Sequence, residues 1–324
     1  MQRALRESEA RFRALSALGS DWYWEADAEY RLTHVSDGLA RLSGREISEF
    51  LGKPRWHNTF VSPVGADWSV HKTVISRRVP FRDLILRYVS PQGIVAYGSI
   101  SGEPIFSKDG TLEGYRGVGN DVTAEVVLRQ RLRMQHDVTR ILSQAAEALP
   151  ALKAVIETIC RTMEWSWGAH RYVDPSDATL NCGAFWQAPG LNAQAFVEHT
   201  LGSRQANQKT GPISRTIASG EIFWIPDHTS GKLQRSQYAK DAGLMGAVFV
   251  PVKRGGGTVD VLEFFSERTE APDQVLRDTL DAIGREAGQF MDRREAQKSS
   301  SDLERQRRHL LDLLELQLEH MPVA

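Results

Sequence analysis

The stretch from residue 117 to residue 149, GVGNDVTAEVVLRQRLRMQHDVTRILSQAAEAL, constrains this chain more than any other. It opens as the end of a strand, passes through the polar pair Asn120-Asp121, and then reads as helix up to Pro150. Met134, Val138, Ile141 and Ala145 recur at steps of four and three, which puts them on one helical face. Arg129, Arg131, Arg133, Asp137 and Arg140 occupy the remaining faces. Mixed helix and strand patterns lie on both sides of this segment, so it divides the chain. At 324 residues there is enough sequence for two domains, each with its own core.

Charge narrows the partners. Lys and Arg number 40 against 41 Asp and Glu, for a formal net charge of -1. That balance gives no electrostatic case for nucleic acid or an anionic membrane surface. Cys160 and Cys182 are the two cysteines, too few for a disulfide framework or a four-cysteine zinc site, and they point to a reducing compartment. The start, MQRALRESEARFRAL, is charged and amphipathic and lacks the apolar core of a signal peptide. The longest apolar run, residues 244–252, falls far short of the roughly 20 residues a spanning helix needs. A cytoplasmic protein with no membrane segment in this chain is the expectation.

Taken in order, residues 1–19 carry Leu5, Phe12, Leu15 and Leu18 among charges, an amphipathic helix. DWYWEAD and RLTHVSD read as two short strands, GLARLSG and ISEFLGKP as short helical turns, and a helical period runs through 67–76. Three strand candidates follow: PFRDLILRYVSPQG, IVAYGSISGEPIFSKDG and TLEGYRGVGNDVT, the second closing on the hairpin signal Asp109-Gly110. Two strands, small helices and three longer antiparallel strands predict an α+β domain with helices on one sheet face. The order resembles the PAS family. LRESEARFRAL is similar to the helix that leads into such domains, GREISEFLGKP to the family's turn segment (with Arg45 in place of an aromatic), and Asp121-Val122-Thr123 to its closing signal-transfer motif. The resemblance implies a PAS domain over 20–124, with Asp121 and Thr123 as relay residues.

After Pro150 the pattern restarts. ALKAVIETICRTM is an amphipathic helix, WSWGAHRYVD and LNCGAFWQAPG alternate as a strand pair, and MGAVFVPVKRGGG with TVDVLEFFSER forms a glycine-linked hairpin. GPISRTIASGEIFWIPD, AGLMGAVFVPV, VLEFFSE and DAIGREAGQFMDRR, in that order, resemble the GAF family. The resemblance implies a GAF domain over 150–293, a connector helix over 125–149 and a signalling helix over 294–324. Leu276, Leu280, Ile283, Ala287 and Phe290 repeat at alternating four and three, the seam of a coiled coil. The ending LLDLLELQLEHMPVA resembles the lead into a further PAS unit, which implies a longer protein with an output domain in cis.

Catalytic motifs are missing: no Walker loop, dinucleotide glycine fingerprint, nucleophile elbow, kinase loop set or HExxH occurs. Gly255-Gly256-Gly257 links two strands and reads as a hairpin loop. His136-Asp137 resembles a histidine-kinase phosphoacceptor pair, but Ile141 stands where that motif has proline, so His136 reads as a solvated helix residue. The pocket candidates are His71, Trp24 and Trp56 in the first half and Trp167, Cys182, Trp186 and Trp224 in the second, with core packing as the alternative for the aromatics. In PAS proteins the helix carrying His71 can ligate haem. No cysteine precedes Cys160, so an adduct-forming flavin is excluded and a non-covalent one stays open. The bilin-attachment and cyclic-nucleotide patterns of some GAF domains are not found. No cofactor is required by the sequence. These readings predict a non-catalytic sensory region of a bacterial signalling protein, the parent being a histidine kinase or diguanylate cyclase, or else a ligand-free dimerisation scaffold. Both seams, Met134 to Ala145 and Leu276 to Phe290, lack an obvious partner within the chain, which predicts a parallel homodimer. Docking onto the chain's own domains is the alternative for either seam.

Overall fold

The structure is a computed structural model, describing residues 21–174, 176–202, 205–206, 211–227, 235–255, 257–268 and 273–319. The helix predicted at 1–19 and the last residues, 320–324, lie outside the described residues. The chain divides into two compact units, residues up to Arg129 and residues from Gln130 onward. Two antiparallel sheets with flanking helices make it an α+β protein, as the patterning predicts.

In the first unit, strands β1 (Trp22–Asp27), β2 (Leu32–Val35), β3 (Val61–Pro63), β4 (Phe81–Val89), β5 (Val95–Phe106) and β6 (Leu112–Asp121) form one sheet in the order β2-β1-β6-β5-β4-β3. Helices α1 (Gly38–Ser43) and α2 (Trp68–Ser76) contribute Leu39, Leu42, Trp68 and Ile75 to the core on one face of it. Asp67 starts α2 by accepting a hydrogen bond from the Ser69 amide at 2.7 Å. Two 3-10 turns, Ile47–Glu49 and Arg55–His57, complete the unit.

Tryptophans over glycines set the geometry of this sheet. Trp22 pairs with Gly119 and Trp24 with Gly117 across β1 and β6, and Gly117 pairs in turn with Gly102 on β5. A Cβ on Gly119 would stand 2.1 Å from the Trp22 ring, and one on Gly117 2.5 Å from the Trp24 ring. The strands therefore need glycine at these alternate positions so that two indoles can lie flat on them.

The second unit begins within α3 (Thr123–Gln144). It continues through α4 (Ala148–Met163), β7 (Trp167–Val173), β8 (Thr179–Gln187), α5 (Gln194–Gly202), β9 (Gln205–Ala206), α6 (Pro212–Ser219), β10 (Phe223–Ile225) and α7 (Ser236–Asp241). The hairpin β11 (Gly246–Arg254) and β12 (Gly257–Ser266) leads to α8 (Gln274–Glu319). The sheet order is β10-β11-β12-β7-β8-β9, antiparallel throughout. Both faces are covered, which is why β11 reads as the unbroken apolar run AVFVPV. Val248, Val250 and Val252 face a core shared with α3, α4 and α8, while Ala247 and Phe249 join Phe196, Ile213 and Ala239 on the opposite face. Helix is not continuous up to Pro150: α3 stops at Gln144, and α4 takes Pro150 into its first turn, where no amide bond is lost.

One expectation is corrected here. The two apolar stripes do have a partner within the chain. Met134 and Val138 share a single buried cluster with Leu276, Leu280, Ile283, Ala287 and Phe290, and Ile141 and Ala145 pack against it half-buried. Leu142, outside the predicted four, is buried with them. The two helices run parallel along this face. Arg131 Nη1 donates to Asp273 Oδ1 at 2.8 Å, Thr139 Oγ1 donates to Glu286 Oε2 at 3.1 Å, and Arg294 donates to the Ala145 carbonyl. Each stripe is amphipathic because it docks on its own unit, and the area it removes from water is spent inside one chain.

Helix α8 approaches β11 at two glycines one turn apart. A Cβ on Gly284 would stand 2.3 Å from the Pro251 carbonyl oxygen, and one on Gly288 2.0 Å from that of Lys253. Polar ties flank this contact: Lys253 Nζ donates to Asp281 at 2.8 Å, Arg254 Nε to Asp292 at 2.7 Å, and the Gly255 amide to Asp292 at 2.8 Å. Gly288→Val is expected to lower stability by about 2 kcal/mol or more, because backbone on both sides has to separate. Gly202→Ala, where a Cβ meets nothing within 4 Å, serves as the control and is expected to leave urea denaturation unchanged or slightly improved.

Candidate functional site

In the first unit the pocket candidates Trp24, Trp56 and His71 do converge, around a residue that the sequence reading passed over. Arg55, in the 3-10 turn, is 2% exposed. Its guanidinium lies 4.1 Å from the centroid of the Trp24 ring, and its Nη1 donates to the Tyr30 hydroxyl at 3.3 Å. Tyr30 stacks on Trp56 with centroids 5.4 Å apart, and its hydroxyl lies 3.0 Å from His71 Nε2. Arginine only donates, so Tyr30 accepts from Arg55 and gives its own proton to a neutral His71. Burial and, behind it, the Arg55 charge pull the His71 imidazole down from 6.5 to about 4. Burial also pushes the Tyr30 hydroxyl well above its usual range and the Tyr88 hydroxyl to about 12.

These residues do not fit haem or flavin. The two indoles stacked on Gly98, Gly102, Gly117 and Gly119 fill the inner face of the sheet, and the His71 nitrogen that a metal would need is taken up by Tyr30. A cleft of about 340 Å³ opens on Tyr23, Glu25, Arg82, Ser101, Glu103 and Arg116, with Trp24, Gly102 and Gly117 also along its wall.

In the second unit the predicted aromatic group is split by strand alternation. Trp186 and Trp224 pack with the helix-side core, while Trp167 and Cys182 belong to the other face. On that other face Trp167 meets Phe196 and Phe265 edge-on at 5.1 and 5.6 Å. Beside them lies an ion cluster with no forewarning in the sequence. Glu263, fully buried, takes both Nη atoms of Arg235 at 3.0 and 2.9 Å and Nη1 of Arg171 at 3.3 Å. Arg235 also donates to Thr200 Oγ1 at 3.2 Å. Burial draws the Arg171 guanidinium below its ordinary range, while Glu263 opposes that shift. Among the described residues of this cluster two guanidiniums stand against one carboxylate. Cys182 lies beside it with its thiol pushed up to about 11 by burial, so it is inert as a nucleophile.

Asp121 and Thr123, expected from the sequence as relay residues, lie where the first sheet passes into α3. Asp121 Oδ1 accepts from the Thr123 amide at 2.8 Å. Thr123 Oγ1 accepts from the Tyr97 amide at 2.9 Å, tying the helix start to β5. His136 is exposed on α3. Among the described residues no helix is long and apolar enough to cross a membrane, and no group of three or more His, Cys, Asp and Glu could hold a metal ion.

No family model matches the chain, and no curated protein matches it by sequence. Solved structures similar to it include the chromophore-binding domain of the bacteriophytochrome RpBphP3 from R. palustris, 13% identical over 86% of this chain and 94% of that one, with a TM-score of 0.42. A longer structure of the same bacteriophytochrome is 14% identical over 91% of this chain and 61% of that one, with a TM-score of 0.47. The GAF domain of a phosphoenolpyruvate-protein phosphotransferase from Coxiella burnetii is 14% identical over 53% of this chain and 98% of that one, with a TM-score of 0.45.

The His71 environment makes stability depend on pH in a defined window. Unfolded chains bind the proton near 6.5 and the folded chain only near 4, so stability present above 6.5 is lost as pH falls toward 4. The loss attributable to His71 is on the order of 3 kcal/mol at the acid end. His71→Gln is expected to remove this part of the slope in urea titrations across the window. An unchanged slope would show that His71 is not held neutral.

Proposed function

We propose that this chain is a tandem PAS–GAF sensory and relay region of a bacterial signalling protein, without catalytic activity of its own. The observation that carries the reading is the position of its helices. The helix that leaves the first sheet, α3, and the helix that leaves the second unit, α8, lie parallel on one face of the second sheet. The other face holds the Arg171, Glu263 and Arg235 cluster among aromatics. A ligand bound on that face acts on β11 and β12, and β11 is the strand against which Gly284 and Gly288 of α8 rest. A shift of β11 then moves α8 relative to α3, a two-state coupling carried by one sheet. Asp121 and Thr123 tie the start of α3 to the first sheet.

The output lies beyond α8, in a domain of the histidine kinase or diguanylate cyclase type. A homodimer contact falls to the distal half of α8, where Leu303, Leu310 and Leu311 are exposed, rather than to the buried stripes. For the first unit a second reading, a scaffold without a ligand of cofactor size, is favoured by the Trp22 and Trp24 rings that fill its inner face.

The relay is tested with spin labels at His136→Cys and Arg285→Cys in a Cys182→Ser background. A metabolite panel is first screened by thermal shift. Compounds that raise the melting temperature are expected to change the distance between the labels. Hits that leave this distance fixed would contradict the relay. Dimerisation is tested by Leu303→Lys with Leu310→Lys, expected to shift sedimentation toward monomer with the fold retained. Dimers unaffected by these changes would overturn the distal contact.

A further inference from the structure

We infer that the core of the first unit is a binding site for a small monovalent anion, held by Arg55. Arg55 is 2% exposed, and among the described residues no carboxylate lies within ion-pair distance of it. An arginine side chain keeps its charge, and a buried cation without a counter-charge is strongly unfavourable. The Trp24 face and the Tyr30 hydroxyl offset part of this, but both are neutral.

Unused donors mark where the counter-charge sits. Arg55 Nη2 makes no hydrogen bond of ordinary length, and the Tyr88 hydroxyl, whose residue is 1% exposed, has only the Arg55 guanidinium beside it, too far for a full hydrogen bond. Asn58, three residues beyond Arg55 and 3% exposed, leaves both its amide nitrogen and its amide oxygen unpaired. Such orphaned groups are rare in folded proteins and each needs an explanation. The Arg55 guanidinium N–H, the Tyr88 O–H and the Asn58 amide N–H are donors beside an uncompensated cation, which an anion completes and a cation does not, while the Asn58 amide oxygen faces away from the guest. This site stands on desolvation and hydrogen bonding, independently of whether its occupancy is the signal.

The test uses the full chain dialysed into chloride-free HEPES and titrated at constant ionic strength with sodium chloride, formate or acetate. Melting temperature and tryptophan fluorescence are followed together. The expected result is a saturable rise in melting temperature with a matching fluorescence change for at least one anion. Selectivity for formate or acetate over chloride identifies a carboxylate guest, and the reverse a halide. Tyr88→Phe and Asn58→Leu, which keep the core filled, are expected to raise the half-saturating concentration at least several-fold. Arg55→Met is expected to abolish saturation. No saturable response to any of the three anions, or an unchanged midpoint in both conservative variants, would overturn the site. Saturable binding that leaves the distance between α3 and α8 unchanged supports the site and separates it from the relay, whose ligand face lies in the second unit.

Discussion

Burial of the α3 and α8 stripes against one face of the second sheet is the interaction on which that unit depends. Met134, Val138 and Leu142 from one helix and Leu276, Leu280, Ile283, Ala287 and Phe290 from the other belong to a single core with α4, β11 and β12. Removing one such side chain costs about 2–5 kcal/mol in comparable cores, a large share of a domain's stability. The helices consequently cannot leave the sheet as free coiled-coil strands without dismantling the unit. Their position relative to the sheet can change only by sliding or tilting along it, and the glycine contact at Gly284 and Gly288 is where that motion is most tightly held.

Much of this was legible in the sequence. The longer strands, the helix as far as Gln144 and the apolar β11 followed from periodicity, because a covered sheet and an amphipathic helix leave opposite signatures. The partner of an apolar stripe was not legible: the same spacing serves a coiled coil between chains and a helix docked on its own sheet. The pair Gly284 and Gly288, four apart in a helix, was the available signal for close approach. Trp167 and Cys182 shared a face with each other but not with Trp186 and Trp224, since strand register decides which face a residue takes.

The charged residues at the heart of both units were hidden for a simpler reason. Arginine and glutamate are mostly exposed, so Arg55, Arg171, Arg235 and Glu263 read as surface. Their burial is a departure from local rules, and such departures cluster where a protein binds or switches. In the second unit Glu263 answers two arginines. In the first, Arg55 has aromatic faces and neutral hydroxyls beside it, and no carboxylate among the described residues.

Backbone hydrogen exchange, followed as a function of protein concentration, tests the pairing of α3 with α8 most directly. If the two stripes are buried within one chain, the amides of residues 134–142 and 276–290 are protected to the same degree in dilute monomer as in concentrated protein. Free exchange of both segments in dilute protein, with protection gained only as concentration rises, would return the stripes to an interface between chains and contradict the account.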